Sequence, residues 1–277
     1  MSNTSADYLL SVDVGNSRIK FGLFNQHDII GSKDTLPTCL QSTSCSLAET
    51  IDWKGIGNWP ELLQAENVFG AVSGANPAGI DKIVSSWPEN GWDRPKVVSD
   101  PDCFPLKVHA ESARQVGIDR LLNAVAANIL RPAETPAIIV DTGTATTVDV
   151  LSTGGAFEGG AILPGFELFA RSLHQYTALL PLVSIRELAR KTPTPLGKNT
   201  SEAMESGLLW GQLGAVKELI SQLVSELRST TPDCEPLVLI TGGGAPLLVP
   251  HLTKSVRYEP RLALQGLALV AEGCGCC

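Results

Sequence analysis

The chain has 277 residues, 43% of them hydrophobic, which is enough to bury more than one core and long for a single small domain. Its formal net charge of −8 and the lack of any basic run exclude a nucleic-acid binder whose affinity rests on neutralising phosphates. Seven irregularly spaced cysteines form neither a disulfide framework nor a metal-ligand pair, and no stretch approaches the roughly 18 apolar residues that span a bilayer. The amino terminus has no basic segment followed by a long apolar one, so a soluble, cytoplasmic protein with no membrane partner is expected. The tail Cys274-Gly-Cys276-Cys277 has no second cysteine or histidine pair to complete a metal site and reads as a frayed end.

In chain order, apolar β-rich runs predict strands over 9–12, 19–24 and 28–31, an antiparallel meander. Residues 35–46, rich in Thr, Ser, Pro and Cys, read as a peripheral segment, followed by a helix over 47–53. A buried strand is expected over 67–73, a helix over 80–87 and a strand over 96–99. The pattern lapses between 101 and 112, and a helix then opens in QVGIDRLLNAVAANIL, with apolar residues at Leu121, Leu122, Val125, Ala126 and Ile129. A domain junction is placed there, giving domains 1–112 and 113–277. The second half repeats the plan: strands over 137–140, 147–151 and 157–163, helices over 166–176 and 200–228, a buried strand over 237–240 running into TGGGAP, and a closing helix over 262–272.

Two segments of this plan nearly repeat each other, YLLSVDVGNSRIKFGLF around Asp13 and AIIVDTGTATTVDVLS around Asp141. In each, a β-rich run ends in Asp-x-Gly, small hydroxyl or amide residues follow, and a second β-rich run begins. Gly15 and Gly143 free the backbone to turn its N–H groups toward phosphate oxygens. Asn16, Ser17, Thr144, Thr146 and Thr147 supply neutral donors, and Asp13 and Asp141 supply carboxylates for cations, which a phosphate-bearing ligand requires beside bare carboxylate. Asp-x-Gly is also ordinary turn chemistry; the matched pair, one per half, is what favours phosphate handling. The duplicated meanders, each extended by helix and strand, predict an α/β fold of two similar RNase H-like (actin-like) domains with an interdomain nucleotide cleft.

Six motifs in order make the chain resemble the type III pantothenate kinases, within the acetate kinase, sugar kinase, Hsp70 and actin superfamily. DVGNSRIK (13–20) is similar to that family's first phosphate motif, GIDR (117–120) to its substrate motif and DTGTATT (141–147) to its second phosphate motif. GGAILPG (159–165), LGKNT (196–200) and TGGGA (241–245) follow in the expected order. The resemblance implies phosphorylation of pantothenate by ATP, with Mg²⁺ and a monovalent cation, K⁺ or NH₄⁺. It implies that Gly117, Asp119, Arg120 and Thr200 bind pantothenate, Thr200 across a homodimer interface seamed by the long helix. Asp13, with Gly15, Asn16, Ser17, Lys20, Gly143 and Thr144, falls to the nucleotide and its Mg²⁺, and Asp141 to the monovalent cation. Asp119, beside Arg120 at a helix start, fits a general base for the attacking hydroxyl, its other reading being a cap of the first turn, and Arg120 can pair with Asp119 or hold the substrate carboxylate in its guanidinium fork.

One departure from the family pattern stands just before the substrate motif. A Tyr-x-Asn-Pro-like segment is usual there, and this chain has Ala110-Glu111-Ser112-Ala113, a change that bears on substrate affinity. Two other readings share the loops: a regulator acting as a transcription accessory factor, and another small-molecule kinase of the superfamily.

Overall fold

The computed structural model describes residues 8–31, 35–89, 91–109, 111 and 113–273. The cysteine-rich tail at 274–277 and two positions of the departing segment, Ala110 and Ser112, lie outside the described residues. The chain begins with β1 (Tyr8–Val14), β2 (Arg18–Asn25), α1 (Gln26–Gly31), β3 (Cys39–Ser46), α2 (Trp53–Gly57), β4 (Val68–Gly74), α3 (Pro77–Ser85), β5 (Lys96–Val97) and α4 (Ile118–Leu130). It continues with β6 (Ala137–Thr142), β7 (Ala145–Leu151), β8 (Phe157–Pro164), α5 (Phe166–Gln175), α6 (Ile185–Leu188), α7 (Thr200–Thr230), β9 (Leu237–Thr241), α8 (Ala245–Leu248), β10 (Val256–Tyr258) and α9 (Leu262–Gly273).

Among the described residues the strands form two five-stranded sheets, ordered β3-β2-β1-β4-β5 and β10-β9-β6-β7-β8. Read from the meander outward, each sheet is third, second, first, fourth, fifth. The first three strands are antiparallel, and the last two lie parallel to the first. The chain is therefore a duplicated α/β actin-like plan. Central strands covered on both faces read as near-continuous apolar runs; from Leu9 to Val14 every residue of β1 is buried, Ser11 and Asp13 being its polar members, as is all of β6 except Asp141.

Each unit has its own core. In the first, Leu10, Val12 and Val14 pack with Phe21, Ile83 and Trp87, and the Trp53, Trp87 and Trp92 rings meet edge to face, with centroids 5.1 to 6.2 Å apart. In the second, Ile138, Val140 and Ile240 pack under Leu208, Leu209, Leu213 and Val216 of α7.

Compact packing groups Met1–Leu130 with Arg261–Cys277, and Arg131–Pro260 forms the other unit. The junction expected at 112/113 falls inside the first of these. The reason is α9, which returns to pack on both α4 and β1. Gly266 of α9 lies so close to α4 that a Cβ there would overlap the Leu122 carbonyl oxygen and sit 2.7 Å from its carbon. Gly266→Ala is accordingly expected to destabilise the first unit by about 3 kcal/mol despite alanine's better helix propensity. The urea midpoint of tryptophan fluorescence, carried mainly by the tryptophans at 53, 59, 87 and 92, checks this; an unmoved midpoint would mean that the helices separate without cost.

The meander of the first unit differs from expectation. Residues 28–31 are the end of helix α1 rather than a strand, because Asn25 Oδ1 accepts the His27 N–H at 2.9 Å and starts a helical turn. The third strand is instead Cys39–Ser46, within the segment read as peripheral. It is an edge strand, largely exposed and polar, so apolar alternation is nearly absent from it. The helix expected over 47–53 begins only at Trp53, capped by Asp52, whose side chain accepts the Gly55 N–H at 2.9 Å.

Candidate active site

In the first unit, Asp13 lies on β1 directly opposite Lys20 of β2 and beside Ser73 of β4. Its side chain is 4% exposed; Oδ2 accepts from Lys20 Nζ at 3.1 Å, while the buried Oδ1 has no hydrogen-bond partner among the described residues. A buried carboxylate oxygen left unsatisfied is costly, and a divalent cation or a metal-bound water is a ligand suited to it. The loop that follows is closed by the Gly15 N–H donating to the Arg18 carbonyl at 2.9 Å, which leaves Asn16 exposed and Ser17 half-buried.

This loop is braced by residues that lie outside the DVGNSRIK motif. Gly74, at the end of the parallel strand β4, has φ +144 and approaches Val14 so closely that a Cβ would lie 2.7 Å from its carbonyl carbon. The next N–H, of Ala75, donates to the Val14 carbonyl at 3.1 Å, and Asn76, the cap of α3, reaches Asn16 Oδ1 at 3.4 Å. The available signal was a glycine and an Asn-Pro helix start directly after a buried β-run.

The second unit repeats this device. Asp141 occupies on β6 the place of Asp13 on β1, flanked by Thr147 of β7 and Thr241 of the parallel strand β9. Gly242, which directly follows β9, has φ +91, and a Cβ there would overlap Asp141 Oδ1 and lie 2.6 Å from the Thr142 nitrogen. Three motifs converge on the turn at Gly143 and Thr144, both exposed. The Gly143 N–H donates to the Ala145 carbonyl at 3.0 Å, Gly165 of GGAILPG donates to the Thr144 carbonyl at 3.0 Å, and Gly244 of TGGGA donates to the Thr142 carbonyl at 2.9 Å. Thr142 Oγ1 in turn donates to the Thr241 carbonyl at 2.9 Å. Of the five neutral donors expected, Thr146 and Thr147 are buried and point away from solvent, with the Thr146 hydroxyl engaged by Gln212.

Gly117 to Arg120 begin α4 in the first unit. The Asp119 carboxylate folds back to accept the Arg120 backbone N–H at 2.9 Å, in the first helical turn where the macrodipole favours negative charge. Gly117 makes room for it, since a Cβ there would stand 2.7 Å from Asp119 Oδ1. Beside this turn lies an open, largely polar depression of about 390 Å³ lined by Ser99, Asp100, Pro101, Arg114, Val116 and Ile118. Arg114 at its rim pairs with Asp102 at 2.9 Å, and that hydrogen bond holds its guanidinium charge more firmly than usual.

LGKNT is a helix start. Asn199 Oδ1 accepts the Glu202 N–H at 3.0 Å and Glu202 Oε2 accepts the Lys198 N–H at 2.8 Å, a reciprocal cap that leaves Thr200 exposed at the first position of α7.

Among the described residues no three His, Cys, Asp or Glu side chains gather as a metal site. The hard oxygen donors present, single carboxylates beside backbone-rich loops, suit a Mg²⁺ that arrives with phosphates rather than one held in a dedicated protein cage. No helix among the described residues is long and apolar enough to cross a membrane.

The family model for type III pantothenate kinase matches residues 9–222. The chain is 34% identical over 269 residues to the type III pantothenate kinase of Streptomyces avermitilis, covering 95% of this chain and 97% of that protein. It is 39% identical over 267 residues to the enzyme of that name from Roseobacter denitrificans, with 95% and 96% covered, and 32% over 269 residues to that of Dehalococcoides mccartyi, with 96% and 98% covered. Solved structures match more distantly, as with the ethanolamine utilization protein EutJ of Carboxydothermus hydrogenoformans, at TM-score 0.49 and 15% identity over 97% of this chain and 92% of that one. The family match over residues 9–222 and the type III pantothenate kinases of 32 to 39% identity agree: the chain belongs to the type III pantothenate kinase family.

Proposed function

We propose that the chain transfers the γ-phosphoryl group of ATP to the primary hydroxyl of pantothenate, the first step toward coenzyme A, as a cytoplasmic homodimer. The observation that carries the site assignment is the duplication of one device: a carboxylate at the same register position in each sheet, followed by a glycine turn and braced by a positive-φ glycine from the parallel strand. Phosphoryl transfer asks a protein mainly for positioning and charge stabilisation, and such loops supply both.

Gly15, Asn16, Ser17, Gly143 and Thr144 would donate to phosphate oxygens. Asp13 would hold Mg²⁺ directly or through water, and Asp141 would hold K⁺ or NH₄⁺; bound there, these cations offset the phosphate charge. Lys20, now paired with Asp13, is within reach to share that task. Asp119 accepts the proton of the attacking hydroxyl, and Arg120 holds the substrate carboxylate. The depression beside Ile118 has room for the pantoyl end of the substrate, with Val116 and Pro101 as apolar walls.

Helix α7 supports the homodimer. Gly207, Gly211 and Gly214 lie in its interior, on an exposed stripe with Ala203 and Ala215, and a Cβ on any of the three glycines would meet nothing within 4 Å. Each costs about 1 kcal/mol of helix stability relative to alanine, a cost offset where a second helix packs close. Ile162, Tyr176, Leu179, Leu182 and Leu196 of the same unit are also exposed, which suits an apolar interface carrying Thr200 toward the partner's substrate.

The cation assignment has a direct test. Asp141→Asn should raise the K⁺ concentration for half-maximal activity by about tenfold, the worth of one charge-assisted contact. An unchanged K⁺ dependence would remove Asp141 as the ligand.

A further inference from the structure

Helix α7 carries a polar residue where its core face should be apolar. Met204, Leu208, Leu209, Leu213 and Val216 are buried on that face, and Gln212 sits among them at 3% exposure. A buried amide among leucines is destabilising unless it is hydrogen-bonded. The Gln212 Nε2 donates to Thr146 Oγ1 at 2.6 Å, and Thr146 is itself fully buried.

Thr146 stands two residues after Thr144, in the strand that leaves the second phosphate turn, with Thr142 and Leu163 as its register neighbours. The bond therefore fixes the base of the Gly143 and Thr144 turn from the core side, while Gly165 and Gly244 fix it by backbone contacts. The same helix holds the 193–195 segment just before LGKNT by two more bonds: Ser206 Oγ donates to the Pro195 carbonyl at 2.8 Å and Trp210 Nε1 to the Pro193 carbonyl at 3.1 Å.

We infer that Gln212 is a positioning residue for the nucleotide: through Thr146 it holds the second phosphate turn at the spacing that binds the phosphates of ATP. Shape alone does not require an amide here, since leucine would fill the space and match its neighbours. What glutamine adds is one directional link between the α7 core face and the turn, and a side chain held on a rigid helix sets a loop more tightly than loop contacts alone. The inference rests on the assignment of ATP phosphates to that turn.

The test compares Gln212→Leu, Thr146→Val, the two combined, and Thr146→Ser, which keeps the hydroxyl. KM for MgATP, KM for pantothenate, kcat and the thermal midpoint are measured for each. Gln212→Leu and Thr146→Val should each raise KM for MgATP about five- to tenfold, the worth of one buried hydrogen bond, with KM for pantothenate changed less than about twofold. The double variant should match either single one, because both remove the same link. Thr146→Ser should behave as the parent protein and serves as the folded control if either apolar variant proves unstable. A lowered thermal midpoint with both KM values unchanged, or additive losses in the double variant, would overturn the positioning role. A parent protein without ATP turnover would sink the nucleotide assignment itself and this inference with it.

Discussion

Asp119→Asn should lower pantothenate-dependent turnover by about 10² to 10⁴, the usual contribution of a general base, while MgATP binds as tightly as before. The substitution keeps the shape of the side chain, and its amide oxygen still accepts the Arg120 N–H that the carboxylate now accepts. The helix start therefore survives, and what is lost is the negative charge and with it the ability to take a proton. A role confined to capping α4 predicts the reverse: nearly full turnover and, at most, a small drop in stability of about 1 kcal/mol. Kinetics together with calorimetric MgATP binding distinguish the two, and full turnover in this variant would remove Asp119 as the base.

Gly165→Ala should fail at an earlier step. A Cβ at this position would overlap the Gly143 carbonyl oxygen and stand 2.6 Å from that of Thr144. Both are backbone atoms of the Gly143-Thr144 turn, and neither can swing aside as a side-chain tip would. The turn must shift, and the Gly165 N–H bond to Thr144 shifts with it. MgATP affinity is expected to fall by about a hundredfold as several phosphate donors move together, with roughly 1 to 3 kcal/mol of stability lost to overpacking. Calorimetry on the variant, with its thermal midpoint as control, reads both. Normal MgATP affinity would place the phosphates somewhere other than this turn.

The two variants probe different steps because the site is assembled from different kinds of sequence signal. The two glycine turns were legible because Asp-x-Gly between two β-rich runs occurs twice, and the strands that carry Asp13 and Asp141 are apolar enough to declare themselves. The strand Cys39–Ser46 was not legible: it lies on the sheet edge, where solvent-facing Ser, Thr and Gln are tolerated and no apolar alternation is needed. Ile29 and Ile30 suggested a strand at 28–31, yet the Asn25 side chain caps a helical turn there and α1 packs against α9. That contact joins segments more than two hundred residues apart, which no local pattern records. For the same reason the return of α9 to α4 defeated the expected domain junction at 112/113.

Within the site, the bracing role of Gly74 and Gly242 follows from pairing across parallel strands and was hidden in the linear chain. Gln212 did leave a trace. At helical spacing 204, 208, 209, 212, 213 and 216 form one stripe, and 212 alone among them is polar. A polar residue inside an otherwise apolar helical stripe is a sign of a buried partner, but its identity, Thr146, required the fold.

The central claim is the transfer of phosphate from ATP to pantothenate, and product formation tests it most directly. Purified protein with ATP, Mg²⁺ and K⁺ should release ADP only when pantothenate is added, with an equal amount of 4′-phosphopantothenate detected by mass spectrometry and less of both when Na⁺ replaces K⁺. Folded protein that binds MgATP yet forms no phosphopantothenate would contradict the account, and would leave a regulatory binder or a kinase for another acceptor as the reading of these loops.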